Sequence, residues 1–371
     1  MTKKKILVVS RSFYPENSPR SFRTTELVKE MCRQGHEVTL YTFKNDIHHQ
    51  PIEKEFGVKI KDLGRQKFYY LNVFKSGKYI SLLKRIINRL LMMLFEYPDI
   101  ELFFLVHKAL KKENGHDLLV SIAVPHPVHW GVAWARSKKN PIAGTWVADC
   151  GDAYMGAINH DSFRKVFYFI YFEKWFCRKA DYIAIPKIMM KVNYYPEFHH
   201  KIIEIPQGFK FNEVQIELKE PSNNVPTFGF AGIFMKTTRN PTILLQHLAL
   251  LNINFKFIIY TRTPDLLIPF LPILKDKLEI REYIPRLELL KELSSMDFLI
   301  NIGYDPAQQA PSKLIDYYLT GRPILSSDTN NFDEKKLVAF LNGNYSSAFV
   351  FDNFSKYRIE NVCNSFLNLC Q

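Results

Sequence analysis

Short apolar runs recur along this chain, each followed by a polar turn and then by a stretch with helical spacing. Lys5-Ile-Leu-Val-Val-Ser10 is the first and reads as a buried strand of a parallel sheet. Residues 11–21 are rich in turn formers (Pro15, Asn17, Ser18, Pro19), and 21–34 carry helical periodicity through Phe22, Leu27, Val28 and Met31 up to Gly35. Val38–Thr42 is the second strand, so the chain opens like a Rossmann-like domain. Val58–Leu63, Asp117–Ser121, Ile142–Ala148 and Ala180–Ile185 read as further strands. Helices are expected over 81–95, from Pro98 to near Gly115, over 130–138 and over 163–179. On the first of these, Leu82, Leu83, Ile86, Ile87, Leu90 and Leu91 form one stripe, with Lys84, Arg85 and Arg89 off it. Packing against the core is the favoured reading of that stripe; a basic amphipathic helix on a membrane surface is the alternative.

The pattern then breaks and restarts. Residues 209–226 are polar and irregular and read as a linker. Thr227–Gly232 opens a second Rossmann-like domain, followed by a cationic loop and a helix from Pro241 through Leu250. Phe255–Tyr260 is a strand, and Leu287, Leu290 and Leu293 are expected on the core face of a later helix. Phe298–Ile302 is a buried strand ending in Gly303. After it, Pro311-Ser312 starts a helix that stops at Gly321, a left-handed residue before Pro323. Ile324–Ser326 begins the next strand, and Lys356–Cys370 reads as a final helix. The expected organisation is an N-terminal domain over 1–208, the linker, a C-terminal domain over 227–350 and a terminal helical segment over 351–371.

Length and composition agree with two packed cores: 371 residues exceed one ordinary domain, and 47% of them are apolar. The five cysteines form no metal-ligand cluster, which suits a reducing compartment. Ile6–Val9 is too short for a signal-peptide core, so a cytoplasmic location is expected. No run approaches the roughly 20 apolar residues of a membrane span. The formal charge of +13 calls for a partner, unless it reflects only a generally basic proteome. No nucleic-acid-binding motif is present, which leaves diphosphate substrates and an anionic membrane surface.

Candidate chemistry gathers around Gln309-Ala-Pro311-Ser312-Lys313-Leu314-Ile-Asp316-Tyr317-Tyr318-Leu-Thr-Gly321-Arg322-Pro323. A strand, a loop and a helix start make one βαβ unit, and free N–H groups at such a start bind phosphate. Lys313 adds a cation, and Asp316 a carboxylate suited to sugar or ribose hydroxyls. This segment resembles the donor site of nucleotide-sugar glycosyltransferases with the GT-B fold, in particular retaining glycosyltransferase family four. The resemblance implies an α/β protein of two Rossmann-like domains facing across a cleft, with the last helix crossing back to the first domain. It also implies a UDP- or GDP-sugar donor, retention of configuration, and neither cofactor nor essential metal.

Weaker matches follow in the family's order. Gly35-His-Glu-Val resembles its opening. Asp149-Cys-Gly151-Asp152 resembles an Asp-x-Arg-Asp segment, with Gly151 in place of Arg. Asp149 and Asp152 are candidates to orient an acceptor hydroxyl or act as a general base. His126 and His129, placed on the loop before, are candidates for the same site. The family's Gly-Gly pair in the opening loop is replaced by Ser18 and Pro19, leaving Arg20 and Arg23 as anion contacts. In the second domain, the Arg after the strand-end Gly232 is replaced by Ile233, and a Lys by Arg239. Arg239, helped by Lys236, is the choice for neutralising the leaving diphosphate, and Arg262 for the nucleotide. Of the family's paired acids, the first falls on Gln308 and the second on Asp316. The function expected is glycosyl transfer to a hydroxyl of a surface glycan, lipid-linked in the favoured version. A nucleotide-sugar epimerase of the same fold and a non-catalytic partner subunit remain open.

Overall fold

The computed structural model describes residues 2–73, 77–156, 165–211, 221–236, 239–303, 312–328, 332–351 and 353–370, excepting the side chains of Ser312 and Asp328. The chain forms two compact units, one of Met1–Phe209 with Ser355–Gln371 and one of Lys210–Phe354.

The first unit runs β1 (Lys5–Ser10), α1 (Pro19–Arg33), β2 (Glu37–Thr42), α2 (Asp46–Phe56), β3 (Lys59–Asp62), α3 (Lys78–Phe95), α4 (Glu101–Leu110), β4 (His116–Ile122), α5 (Pro127–Ala135), β5 (Ala143–Asp149), α6 (Phe169–Lys179), β6 (Tyr182–Ile185) and β7 (Ile202–Glu204). Its strands are parallel in the order β3-β2-β1-β4-β5-β6-β7. In β1, Ile6 and Val8 join the core on one face and Leu7 and Val9 the core on the other. Both faces are covered, which is why the strand is an unbroken apolar run. Helix α1 starts before residue 21, because the Ser18 hydroxyl accepts from the Ser21 N–H (3.2 Å) and Pro19 fits the first helical position.

The second unit runs β8 (Thr227–Ala231), α7 (Thr242–Leu250), β9 (Lys256–Tyr260), the single turn α8 (Leu271–Leu274), β10 (Leu278–Arg281), α9 (Arg286–Ser294), β11 (Phe298–Gly303), α10 (Ser312–Leu319), β12 (Ile324–Asp328) and α11 (Glu334–Leu341). Its parallel strands lie in the order β10-β9-β8-β11-β12. Gly321 follows α10 with φ 70°, the conformation that stops the helix where the sequence places the stop. Leu290 and Leu293 of α9 are buried, but Leu287 is exposed and is not part of that helix's core face.

The last helix, α12 (Ile359–Leu367), belongs to the first unit. Ile359, Val362, Cys363 and Phe366 join the core of Leu27, Val28 and Met31 from α1. A Cβ on Gly208 would lie 2.5 Å from the Ile359 side chain, so glycine lets the helix approach this closely.

Two further expectations are corrected. Helix α3 does not pack into the core: none of its residues is buried, and of its stripe Leu82, Leu83, Ile86 and Leu90 are exposed while Ile87 and Leu91 are half-buried. His129 is not on a loop. Pro127 starts α5 three residues before the expected start at Trp130, which places His129 inside the helix and fully buried.

Candidate functional site

In open parallel sheets, ligands gather beyond the carboxyl ends of strands where the strand order reverses. In the second unit that point lies between β8 and β11. Gly232 follows β8 with φ 145°, and its N–H donates to the Tyr260 carbonyl (2.9 Å). A Cβ on Gly232 would sit 3.8 Å from the Lys313 side chain, so these two expected donor residues are neighbours. The Lys313 ammonium lies over the Phe230 ring, 3.6 Å from its centre. Burial, and then the nearby Arg239, push its pKa well below the usual lysine range. No carboxylate pairs with Lys313 among the described residues. Leu314 is buried next to it in the core. Tyr317 ties α10 to the end of β8, its hydroxyl accepting from the Ala231 N–H (2.8 Å).

Around this point stand the other candidates. Met235 and Arg239 pair backbone to backbone and so shape the cationic loop, with Lys236 exposed on it. Arg262 lies over the Tyr283 ring, 4.2 Å from its centre. Asp316 accepts from Nε and Nη2 of Arg286 (3.0 and 2.6 Å), both on Oδ1, which leaves Oδ2 to accept a hydroxyl. Gln308 and Pro311 lie outside the described residues, as does the Ser312 side chain.

In the first unit the strand order reverses between β1 and β4. The structure brings Arg23 and Asp149 together, but onto each other. Arg23 donates to both carboxylate oxygens of Asp149, and also to the carbonyls of Pro206 (2.7 Å) and Ile205 (3.1 Å). Both side chains are buried, so this pair holds α1, β5 and residues 205–206 together and faces no solvent. His129 is likewise inward, with Nδ1 2.8 Å from the Ser121 hydroxyl and Nε2 3.4 Å from the Cys150 sulfur. Ser18 is spent on capping α1.

Three polar groups remain turned to this edge. Arg20 is partly buried, and burial lowers its pKa against the opposing pull of Asp149. A Cβ on Gly151 would meet the Arg20 guanidinium at 1.7 Å, so the glycine leaves the space that the guanidinium fills. Asp152 is exposed. The buried His126 donates from Nε2 to the Asp152 carbonyl (3.1 Å), and burial lowers its pKa to about 3.

Some of this site had no signature along the sequence. Glu173 on α6 is buried and accepts from the N–H groups of Tyr154 (2.9 Å) and Met155 (3.2 Å), holding the loop that carries Asp152. Burial raises its pKa. The Tyr154 hydroxyl in turn donates to Glu96 (2.9 Å). A cavity of about 380 Å³ opens at the ends of β1 and β2, with Arg11, Tyr14, Glu16, Asn45, His49 and Gln66 among its lining. These residues come from separate loops and from α2, and only the fold assembles them.

No family model and no curated protein matches this sequence. Solved structures do match it. The apo form of the lipopolysaccharide outer core galactosyltransferase WaaB gives a TM-score of 0.62 at 11% identity, over 98% of this chain and 98% of that one. A glycosyltransferase from Rickettsia africae gives 0.58 at 12% identity, over 100% and 95%. HepE from Anabaena, in complex with UDP and glucose, gives 0.54 at 12% identity, over 100% and 96%. At these identities the likeness establishes the fold, and the chain has the GT-B fold of these glycosyltransferases.

Proposed function

We propose that this protein transfers a sugar from a UDP- or GDP-sugar to a hydroxyl of a surface glycan acceptor, with retention of configuration. The observation that carries the reading is Lys313: a half-buried ammonium with no carboxylate partner among the described residues, beside Gly232 at the reversal point of the second sheet, with Arg239 close by. Two cations held together, with no carboxylate between them among the described residues, suit a diphosphate. In this reading Lys313, Arg239 and Lys236 neutralise the departing nucleoside diphosphate, so that the bond from the sugar carbon to the phosphate oxygen breaks with charge on the oxygen stabilised. Arg262 faces the base, and Oδ2 of Asp316 accepts from ribose or sugar. The first unit holds the acceptor: Asp152 orients its hydroxyl, and Arg20 contacts its anionic group, as expected for a phosphate-linked lipid carrier. The polar cavity beside β1 and β2 suits the acceptor's sugar.

HepE is known with UDP-glucose bound, which makes UDP-sugars the first donors to try. The test is release of nucleoside diphosphate from UDP- and GDP-sugars, with and without a membrane lipid extract as acceptor. Acceptor-dependent release, cut at least a hundredfold in Lys313→Ala, is expected. Conversion of the donor into an isomeric sugar without acceptor would mean an epimerase instead, and no turnover with any donor would favour the partner-subunit reading.

A further inference from the structure

We propose that α3 is an interfacial helix, which lays its outward apolar face into the surface of an anionic bilayer. The helix is mounted in reverse. Its polar side is the one that meets the protein: Asn88 exchanges hydrogen bonds with the backbone of Leu71 (2.9 and 3.0 Å), Ser81 donates to the Val73 carbonyl (3.1 Å) and Lys84 to the Asn72 carbonyl (2.9 Å). The opposite side presents Leu82, Leu83, Ile86, Leu90 and Leu94, which are 39% to 57% exposed. An apolar stripe that a soluble helix would bury is here held away from the core by its own polar contacts.

Charge selects the occupant. Residues 78–95 contain Lys78, Lys84, Arg85 and Arg89 and no acid. By helical spacing, Lys78, Arg85 and Arg89 fall along one border of the apolar face. Leucines flanked by cations match a head-group layer, where acyl chains take the leucines and lipid phosphates the cations. No helix among the described residues is long and apolar enough to cross a membrane, so the contact is one of lying on the surface. The helix end is also tied to the candidate site, since Glu96, which follows α3, accepts from Tyr154 on the Asp152 loop. A docked α3 therefore brings that loop close to the bilayer surface.

The test is cosedimentation of the full chain with phosphatidylcholine vesicles, made with or without phosphatidylglycerol, at low and high salt. It needs no sugar donor, so its outcome is separate from that of the transfer reading. The wild type should bind the anionic vesicles and release them in salt. Leu83→Gln with Leu90→Gln should weaken binding about tenfold or more, and Ile86→Gln repeats the test at one position. Arg85→Gln and Arg89→Gln should each weaken it about fivefold. These side chains are exposed, so melting temperatures should not change. Failure to bind either vesicle, or equal binding by the leucine variant, would overturn the proposal. So would a wild-type dimer that ignores vesicles and that the leucine variant converts to monomer, since a second copy would then cover the face.

Discussion

Burial and the cationic neighbour Arg239 favour the neutral form of Lys313, outweighing the Phe230 ring face, which favours the ammonium. A bound diphosphate would reverse that preference by favouring the charged form. Nucleotide binding should therefore draw a proton onto Lys313, and affinity should rise as pH falls through its titration range. Calorimetry in buffers of different ionisation enthalpy reads this directly: net proton uptake is expected in the wild type and none at this site in Lys313→Met. Arg20 supplies a second test. Its guanidinium fills the space beside Gly151, so Gly151→Ala should push it out at little cost in melting temperature, because the displaced end is flexible. Transfer efficiency should fall about tenfold or more in Gly151→Ala and in Arg20→Gln alike, and no further in the double variant. Additive losses would show that the two positions act separately.

At the scale of elements, the parallel strands were the most legible. β1 and β11 are covered on both faces, and a strand so covered reads as a continuous apolar run. The end of α10 was legible too, because Gly321 and Pro323 mark it chemically. Helix α2 was not, since only His49 and Ile52 are buried on it and two positions make no period. The stripe on α3 was visible, but periodicity reports that a helix has an apolar side and not what covers it. The pairing of Arg23 with Asp149 was hidden because the residues are 126 positions apart, and each taken alone resembles a substrate contact. Helix α5 makes its own prediction. His126, at its start, titrates near 6.5 when unfolded and at about 3 when folded. Below pH 6.5 the unfolded chain binds a proton that the folded chain refuses, so stability falls as pH drops from about 6.5 towards 3. His129 shifts in the same direction through burial. Denaturant unfolding across that range should show the slope, and His126→Asn should flatten it. An unchanged slope would mean that His126 protonates freely in the folded state.

For the whole molecule, the two units divide the expected work. The second carries at its sheet's reversal point a cation with no carboxylate partner among the described residues, and the first an exposed acid on a loop held by Glu173 and Tyr154. The departures from the family pattern at Ile233 and Gly151 fit this picture in different ways. Gly151 makes room for a guanidinium supplied by α1, whereas Ile233 is half exposed and brings no charge. In the proposed mechanism, leaving-group stabilisation then rests on Lys313 and Arg239. The most direct test is calorimetric titration of UDP and of GDP into the wild type, Lys313→Ala and Arg239→Ala. Binding of one nucleotide at about micromolar Kd is expected, weakened about tenfold or more by either substitution. Absence of binding by both nucleotides, or binding that neither substitution alters, would contradict the placement of the donor in the second unit.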